Sequence, residues 1–108
     1  MIFRGIIVVS KQKLQLKDNF YFDIEKKELF DESKLIPLTN KERAIFSLLS
    51  SNSKLTFTYQ EIIINAWSEY DEYGGIDSLK TIIKNLRKKL PKDTIKNIFG
   101  IGYKLENT

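Results

Sequence analysis

The chain has 108 residues, 18 Lys+Arg against 14 Asp+Glu, and a formal net charge of +4, a length that suits one domain with its own hydrophobic core. It contains neither cysteine nor histidine. That excludes disulfides, thiolate or imidazole metal sites, and catalysis by a cysteine nucleophile or a histidine base. The longest apolar run near the start, Ile6–Val9, is far short of the ~18 residues that span a bilayer, and it lacks the cleavage signal of a secretory leader. A cytoplasmic location is therefore the default expectation.

In chain order, residues 1–38 read as short strands. Ile6–Val9 is a β-branched run, and Leu14 and Leu16 alternate with Gln15 and Lys17 before an Asp18-Asn19 turn. Phe20, Phe22 and Ile24 alternate with Tyr21 and Asp23. Leu29-Phe30 and then Leu35, Ile36 and Leu38 flank the turn Asp31-Glu32-Ser33. Period-two patterning with short polar turns predicts an antiparallel meander. At Thr39 the period changes. Thr39-Asn40-Lys41-Glu42 is a capping box, in which the threonine hydroxyl takes the N3 amide and the glutamate reaches back. Ala44, Ile45, Phe46, Leu48 and Leu49 follow at helical spacing until the small polar residues Ser50–Ser53. Thr58-Tyr59-Gln60-Glu61 is a second capping box, opening a helix with Ile62, Ile63, Ala66 and Trp67. Residues 68–77 form an acidic loop with two adjacent glycines. A third helix is expected from about residue 78 to 90, capped by Asp77 or Ser78 and stopped by Pro91. Its apolar stripe is Leu79, Ile82/Ile83, Leu86 and Leu90. The chain then turns extended again around Gly100-Ile101-Gly102, whose two glycines allow a sharp hairpin or bulge.

Charge is not spread evenly over this plan. Residues 78–104 hold eight Lys or Arg against Asp93 alone, a local +7, while ten positive and thirteen negative side chains leave −3 elsewhere. A basic block of this kind suits a polyanion; taken alone it also suits a solvated helix face. The order sheet, three helices, hairpin gives an α+β fold of winged helix-turn-helix plan, with the third helix set for a major groove and the hairpin as the wing.

Four motifs sharpen this. Leu38-Thr39-Asn40-Lys41-Glu42, Ala66-Trp67, Ile83-Lys84-Asn85-Leu86-Arg87-Lys88-Lys89-Leu90 and Gly100-Ile101-Gly102-Tyr103-Lys104-Leu105 stand in order within residues 14–105. Together they resemble the DNA-binding effector domain of the OmpR/PhoB response regulators, with its LTxxE, IxxLRKKL and GxGY patterns. The N-terminal sheet also fits that family. Two positions depart from it. Leu79-Lys80-Thr81-Ile82 stands where the family often has Val-Asp-Val-His, and Asn97-Ile98-Phe99-Gly100 where its wing commonly reads Thr-Val-Arg-Gly, so Phe99 takes the place of an arginine that reaches a minor groove. By this reading residues 1–13 are an N-terminal extension or linker remnant, and 14–108 are the winged-helix domain.

The candidate DNA contacts divide by chemistry. On the third helix, Ser78, Lys80, Thr81, Lys84 and Asn85 could face bases: asparagine can pair bidentately with adenine, lysine can reach guanine or phosphate, and a threonine methyl can touch a thymine methyl. Arg87, Lys88 and Lys89, toward the C-terminal end, suit phosphates. Thr58 and Tyr59 would bring a helix N-terminus to a phosphate, although Thr58 is also explained by capping alone. Trp67 reads as core that could still offer its indole N–H. Phe99 and Lys104 belong to the wing; Phe99 could lie against sugars, insert shallowly or face a protein. No cofactor or metal is expected. The resemblance further implies two copies, head-to-tail on direct repeats, a receiver domain if this is a fragment, and RNA polymerase as a partner of acidic loop 68–77, which equally reads as a plain surface loop. The rival reading is a winged-helix protein-interaction module without specific DNA binding, favoured by the apolar Ile82 and Phe99. An enzyme ranks third, for want of convergent carboxylates or a phosphate-binding glycine loop.

Overall fold

The computed structural model describes residues 13–68, 71 and 75–106. The expected strand at Ile6–Val9 and most of the acidic loop lie outside the described residues. Four short strands open the fold: β1 (Lys13–Gln15), β2 (Phe20–Asp23), β3 (Glu28–Asp31) and β4 (Lys34–Ile36). They form the expected meander in the order β1-β2-β3-β4, every pair antiparallel. Lys13 thus belongs to the sheet rather than to the extension. Asp18 and Asn19 both have positive φ, 57° and 69°, the geometry of a tight hairpin turn that these two residue types tolerate best.

The register sends Leu14, Phe22, Leu29 and Ile36 to one face. There Phe22 and Leu29 are fully buried, and Phe22 meets Phe46 edge-on with ring centroids 4.8 Å apart. Phe46 lies on α1 (Asn40–Ser51), which presents Ile45, Phe46 and Leu49 to the core. The short β5 (Phe57–Thr58) leads into α2 (Tyr59–Ala66), and α3 (Ile76–Arg87) follows. Both predicted capping boxes are complete, with Thr39 and Thr58 as N-caps. The C-terminal hairpin is β6 (Ile95–Ile98) and β7 (Gly102–Leu105). It recruits β5 to make a second sheet in the order β5-β7-β6. A single buried cluster joins the first sheet, the three helices and this second sheet. No helix among the described residues is long and apolar enough to cross a membrane.

The third helix differs from expectation at both ends. It starts at Ile76, with Gly75 as N-cap and no side-chain capping bond, so Asp77 and Ser78 lie inside the first turn. Glycine serves as N-cap almost as well as Ser or Asp, because the position requires extended backbone more than it requires a side chain. The helix ends at Arg87. Lys88, Lys89 and Leu90 instead donate to carbonyls three residues back, on Asn85, Leu86 and Arg87. Pro91 disfavours α geometry at the residue before it, and the last turn tightens accordingly.

Candidate nucleic-acid interface

The two faces of α3 are cleanly separated. Leu79, Ile83 and Leu86 are buried, while Ser78, Lys80, Thr81, Lys84, Asn85, Arg87 and Lys88 are exposed. Spacings of three and four residues place Lys80, Thr81, Lys84, Asn85 and Lys88 together on the outward side. The Thr81 hydroxyl donates back to the Asp77 carbonyl at 3.1 Å. Ile82 is half-buried against the core, so this departure from the family pattern widens the apolar stripe and leaves the outward face polar. After Asp77 no carboxylate occurs on the helix.

Arg87 links this helix to the hairpin. Its Nη2 donates to the Ile95 carbonyl at 3.1 Å, and its guanidinium lies 5.8 Å from the Tyr103 ring centroid. Tyr103 in turn meets Tyr59 edge-on at 5.5 Å, and the Tyr59 hydroxyl donates to Asn97 Oδ1 at 3.1 Å. Burial and the neighbouring Tyr59 push the Tyr103 phenol above its ordinary pKa, against the opposing pull of Arg87; it therefore stays neutral at physiological pH. These contacts bring the start of α2, the end of α3 and the hairpin into one continuous surface. Between the end of α3 and β6 lies a depression of about 510 Å³ whose lining includes Arg87, Lys92, Lys96 and Asn97.

Several sequence candidates carry structural duties as well. Thr58 Oγ1 accepts from the Glu61 amide at 3.1 Å, and the Tyr59 amide donates to the Ile101 carbonyl at 3.1 Å. Two first-turn amides of α2 are thus already occupied, which leaves its N-terminus less to offer a phosphate. Trp67 is the half-buried C-cap of α2, with the Lys41 ammonium 5.4 Å from its ring. Lys41 also pairs with Asp71 at 2.9 Å. The Ser68 backbone amide, and then Lys41, hold the Asp71 carboxyl below its usual range, pinning one acid of the loop to α1. Lys89 departs from the expected phosphate cluster: its Nζ donates to Glu42 Oε1 at 2.7 Å and to the Pro37 carbonyl at 3.0 Å.

The hairpin adds what the sequence reading missed. Its register sets Lys96 directly opposite Lys104. Counting outward from the Ile98–Gly102 pair would have found this, had the turn been placed first. Phe99 stands at the tip, 92% exposed. Among the described residues, no group of three or more Asp or Glu is arranged to hold a metal ion.

Three helices packed on a shared core, the third with a polar cationic outward face, and a β-hairpin fastened to its C-terminal end define a winged helix-turn-helix domain. The family model described as "Transcriptional regulatory protein, C terminal" matches residues 32–105, and the chain belongs to that family, the effector domains of OmpR/PhoB-type response regulators. This is a family of transcription regulators and not of enzymes. Regulatory protein VanRB of Enterococcus faecalis is 45% identical over 73 residues, covering 68% of this chain and 33% of VanRB. Heme response regulator HssR of Staphylococcus aureus is 37% identical over 84 residues, covering 74% of this chain and 37% of HssR. The chain therefore spans about a third of the length of the curated relatives it matches. Among solved structures, the OmpR/PhoB homolog DrrB of Thermotoga maritima superposes with a TM-score of 0.75 at 25% identity, over 96% of this chain and 48% of DrrB. The DNA-binding domain of response regulator AdeR, solved in complex with an intercistronic region, gives 0.69 at 26% identity, over 87% of this chain and 99% of that one.

Proposed function

We propose that this domain binds double-stranded DNA sequence-specifically as the effector part of a cytoplasmic bacterial response regulator. In this reading α3 enters the major groove, and the hairpin lies on the adjacent backbone or minor groove. The observation that carries it is the outward face of α3, where Lys80, Thr81, Lys84 and Asn85 stand exposed opposite the buried Leu79, Ile83 and Leu86. Lys84 and Asn85 read base edges, with Ser78, Lys80 and Thr81 beside them. Arg87, Lys88, Lys96 and Lys104 meet phosphates and so set position rather than sequence. Tyr59, at the start of α2 beside Thr58, adjoins the hairpin through Asn97; in this reading Trp67, at the other end of α2, offers its indole N–H to a phosphate. The likeness to the AdeR domain, solved with DNA, supports the same docking.

The relatives' greater length supports a receiver domain outside this chain, which would control pairing of two copies head-to-tail on direct repeats. The segment 68–77 carries Glu69, Asp71 and Glu72 ahead of α3 and Asp77 in its first turn, and suits RNA polymerase better than DNA, since phosphates repel it. Binding requires no cofactor or metal.

In vitro selection from a random duplex pool at physiological salt tests the reading. An enriched repeated motif is the expected result. Lys84→Ala with Asn85→Ala should then lower the preference for that motif by tenfold or more, since a bidentate base contact discriminates by about 1–3 kcal/mol, while the fold persists because both side chains are exposed. A second reading, a protein-interaction module, draws on the exposed Phe99. It predicts no enriched motif and a protein complex broken by Phe99→Ala.

A further inference from the structure

Lys41 stands where its own helix disfavours a lysine. It lies in the first turn of α1, where the helix dipole favours an anion over a cation. The anion beside it is Asp71, whose Oδ2 accepts from Lys41 Nζ at 2.9 Å. That same oxygen accepts from the Ser68 backbone amide at 2.9 Å, and the Asp71 amide donates back to the Ser68 carbonyl at 3.1 Å. Two donors from separate elements, the ammonium on α1 and the amide just past α2, thus converge on one oxygen.

Trp67 flanks this point. Lys41 Nζ lies 5.4 Å from its ring centroid, and Ser68 follows it directly in the chain. Its indole N–H forms no hydrogen bond among the described residues. The start of α1, the Lys41 ammonium and the Ser68 amide form a seat for one oxyanion beside that indole, and in the free domain a carboxylate fills it. The occupant is held loosely. The Lys41 and Asp71 side chains are 27% and 37% exposed, and an ion pair so open to water contributes little.

A phosphate has the same need for two donors. Once α3 is docked, the remaining contacts hold the phosphate row in place, so a phosphate at Trp67 competes with Asp71 at high effective concentration. We infer that Asp71 is a stand-in for a DNA phosphate: on docking, a backbone phosphate takes over Lys41 and the Ser68 amide, and Asp71 is released together with the acidic segment it anchors. The inference rests on the DNA-binding reading above and deepens it. Lys41 becomes a phosphate contact, and segment 68–77 is freed for a protein partner only on DNA.

The probe is the duplex enriched by selection with the unaltered protein, titrated over a range of salt. Lys41→Met keeps the stem over Trp67 and removes the charge. It should weaken binding about tenfold and reduce the salt slope by about 0.9. Asp71→Asn removes the competitor and should tighten binding about threefold, with the slope unchanged. In a Lys41→Met background that gain should vanish, which separates the loss of a competitor from a general loss of negative charge. The carbon NMR signal of the Asp71 carboxyl, identified by its absence in Asp71→Asn, should move to the position of a free aspartate carboxylate when the unaltered protein binds the duplex. A signal that stays in place on bound DNA overturns the inference. So does a Lys41→Met protein with the slope of the unaltered one, or an Asp71→Asn gain that survives without Lys41; in each case DNA binding itself still stands. If no duplex is enriched at all, the DNA-binding reading fails first and this one falls with it.

Discussion

Glu42 shows how one residue can serve two levels of structure. Its carboxylate accepts from the Thr39 amide at 2.9 Å, closing the capping box of α1, and pairs with Lys89 at 2.7 Å, although the residue is only 3% exposed. Burial raises the pKa of such a group, but Lys89 and the bonds from Thr39 outweigh it and hold the carboxyl below its usual 4.5. The sign follows from linkage. A carboxyl whose pKa is lower folded than unfolded stabilises the fold above the unfolded value, and that contribution is lost as pH falls through the folded value. Glu42→Gln keeps an oxygen for the cap and removes the charge. It should cost about 1–2 kcal/mol near neutral pH, since Lys89 is a third exposed and its ion pair is partly screened. Urea unfolding of both proteins at pH 7 and in steps below 4.5 checks this. The difference between them should shrink as the medium becomes acidic, and a difference that persists unchanged would show that the charge contributes nothing.

At the scale of elements, the Gly100-Ile101-Gly102 hairpin contains two glycines that are needed for different reasons. Gly100 has φ 76° with open space where a Cβ would stand, whereas a Cβ on Gly102 would lie 1.8 Å from the Phe57 carbonyl oxygen, a backbone atom of β5. Gly100→Ala should therefore cost about 1 kcal/mol, the price of a left-handed residue. Gly102→Ala should cost about 3 kcal/mol, because β5 must part from β7 to make room. Thermal unfolding should rank them so, with Gly102→Ala lower in Tm by roughly 10 °C or more and Gly100→Ala by about 5 °C; the reverse order would refute the packing argument. The sequence announced a turn at this place but treated both glycines alike, since the atom that singles out Gly102 belongs to a strand over forty residues earlier. The same limit runs through the fold. The meander, both capping boxes and the apolar stripe of α3 were legible because each is set by local periodicity or by a side chain bonding within one turn. The third strand of the wing sheet depends on where distant segments meet; the glycine cap of α3, its end at Arg87 and the Lys96–Lys104 pairing are local, but each needs a turn or helix boundary placed to within one residue, which no capping side chain marks. The outward face of α3 was legible for the same local reason; the Arg87–Tyr103–Tyr59–Asn97 contacts that align it with the hairpin were not.

Over the whole molecule, the net charge of +4 resolves into a basic C-terminal third and a slightly acidic remainder, and the structure edits that division. Lys89 is turned inward to Glu42 and Pro37, leaving Lys80, Lys84, Arg87, Lys88, Lys92, Lys96 and Lys104 as the cations on or beside the proposed interface. Some of these lie beside bases or at the margin, so neutralising about 4–6 phosphates is a reasonable load. Counterion release then predicts that log affinity falls with log salt at a slope near −4 to −5. Two lysines adjacent in sequence separate the electrostatic contribution from the structural one. Lys88→Ala should weaken binding to all duplexes alike and reduce the slope by about 0.9, with little effect on folding, because Lys88 is exposed and forms no ion pair among the described residues. Lys89→Ala should do the opposite. It leaves a buried carboxylate without its cation, at a cost of about 2–3 kcal/mol, and it leaves the salt slope of the folded protein as it was. Fluorescence titrations from 50 to 200 mM salt, run well below the Tm of either variant, read the slopes, and denaturant melts read the stabilities. If Lys89→Ala changes the slope as much as Lys88→Ala does, Lys89 swings out to the DNA on binding, and the division of labour between the two residues is wrong.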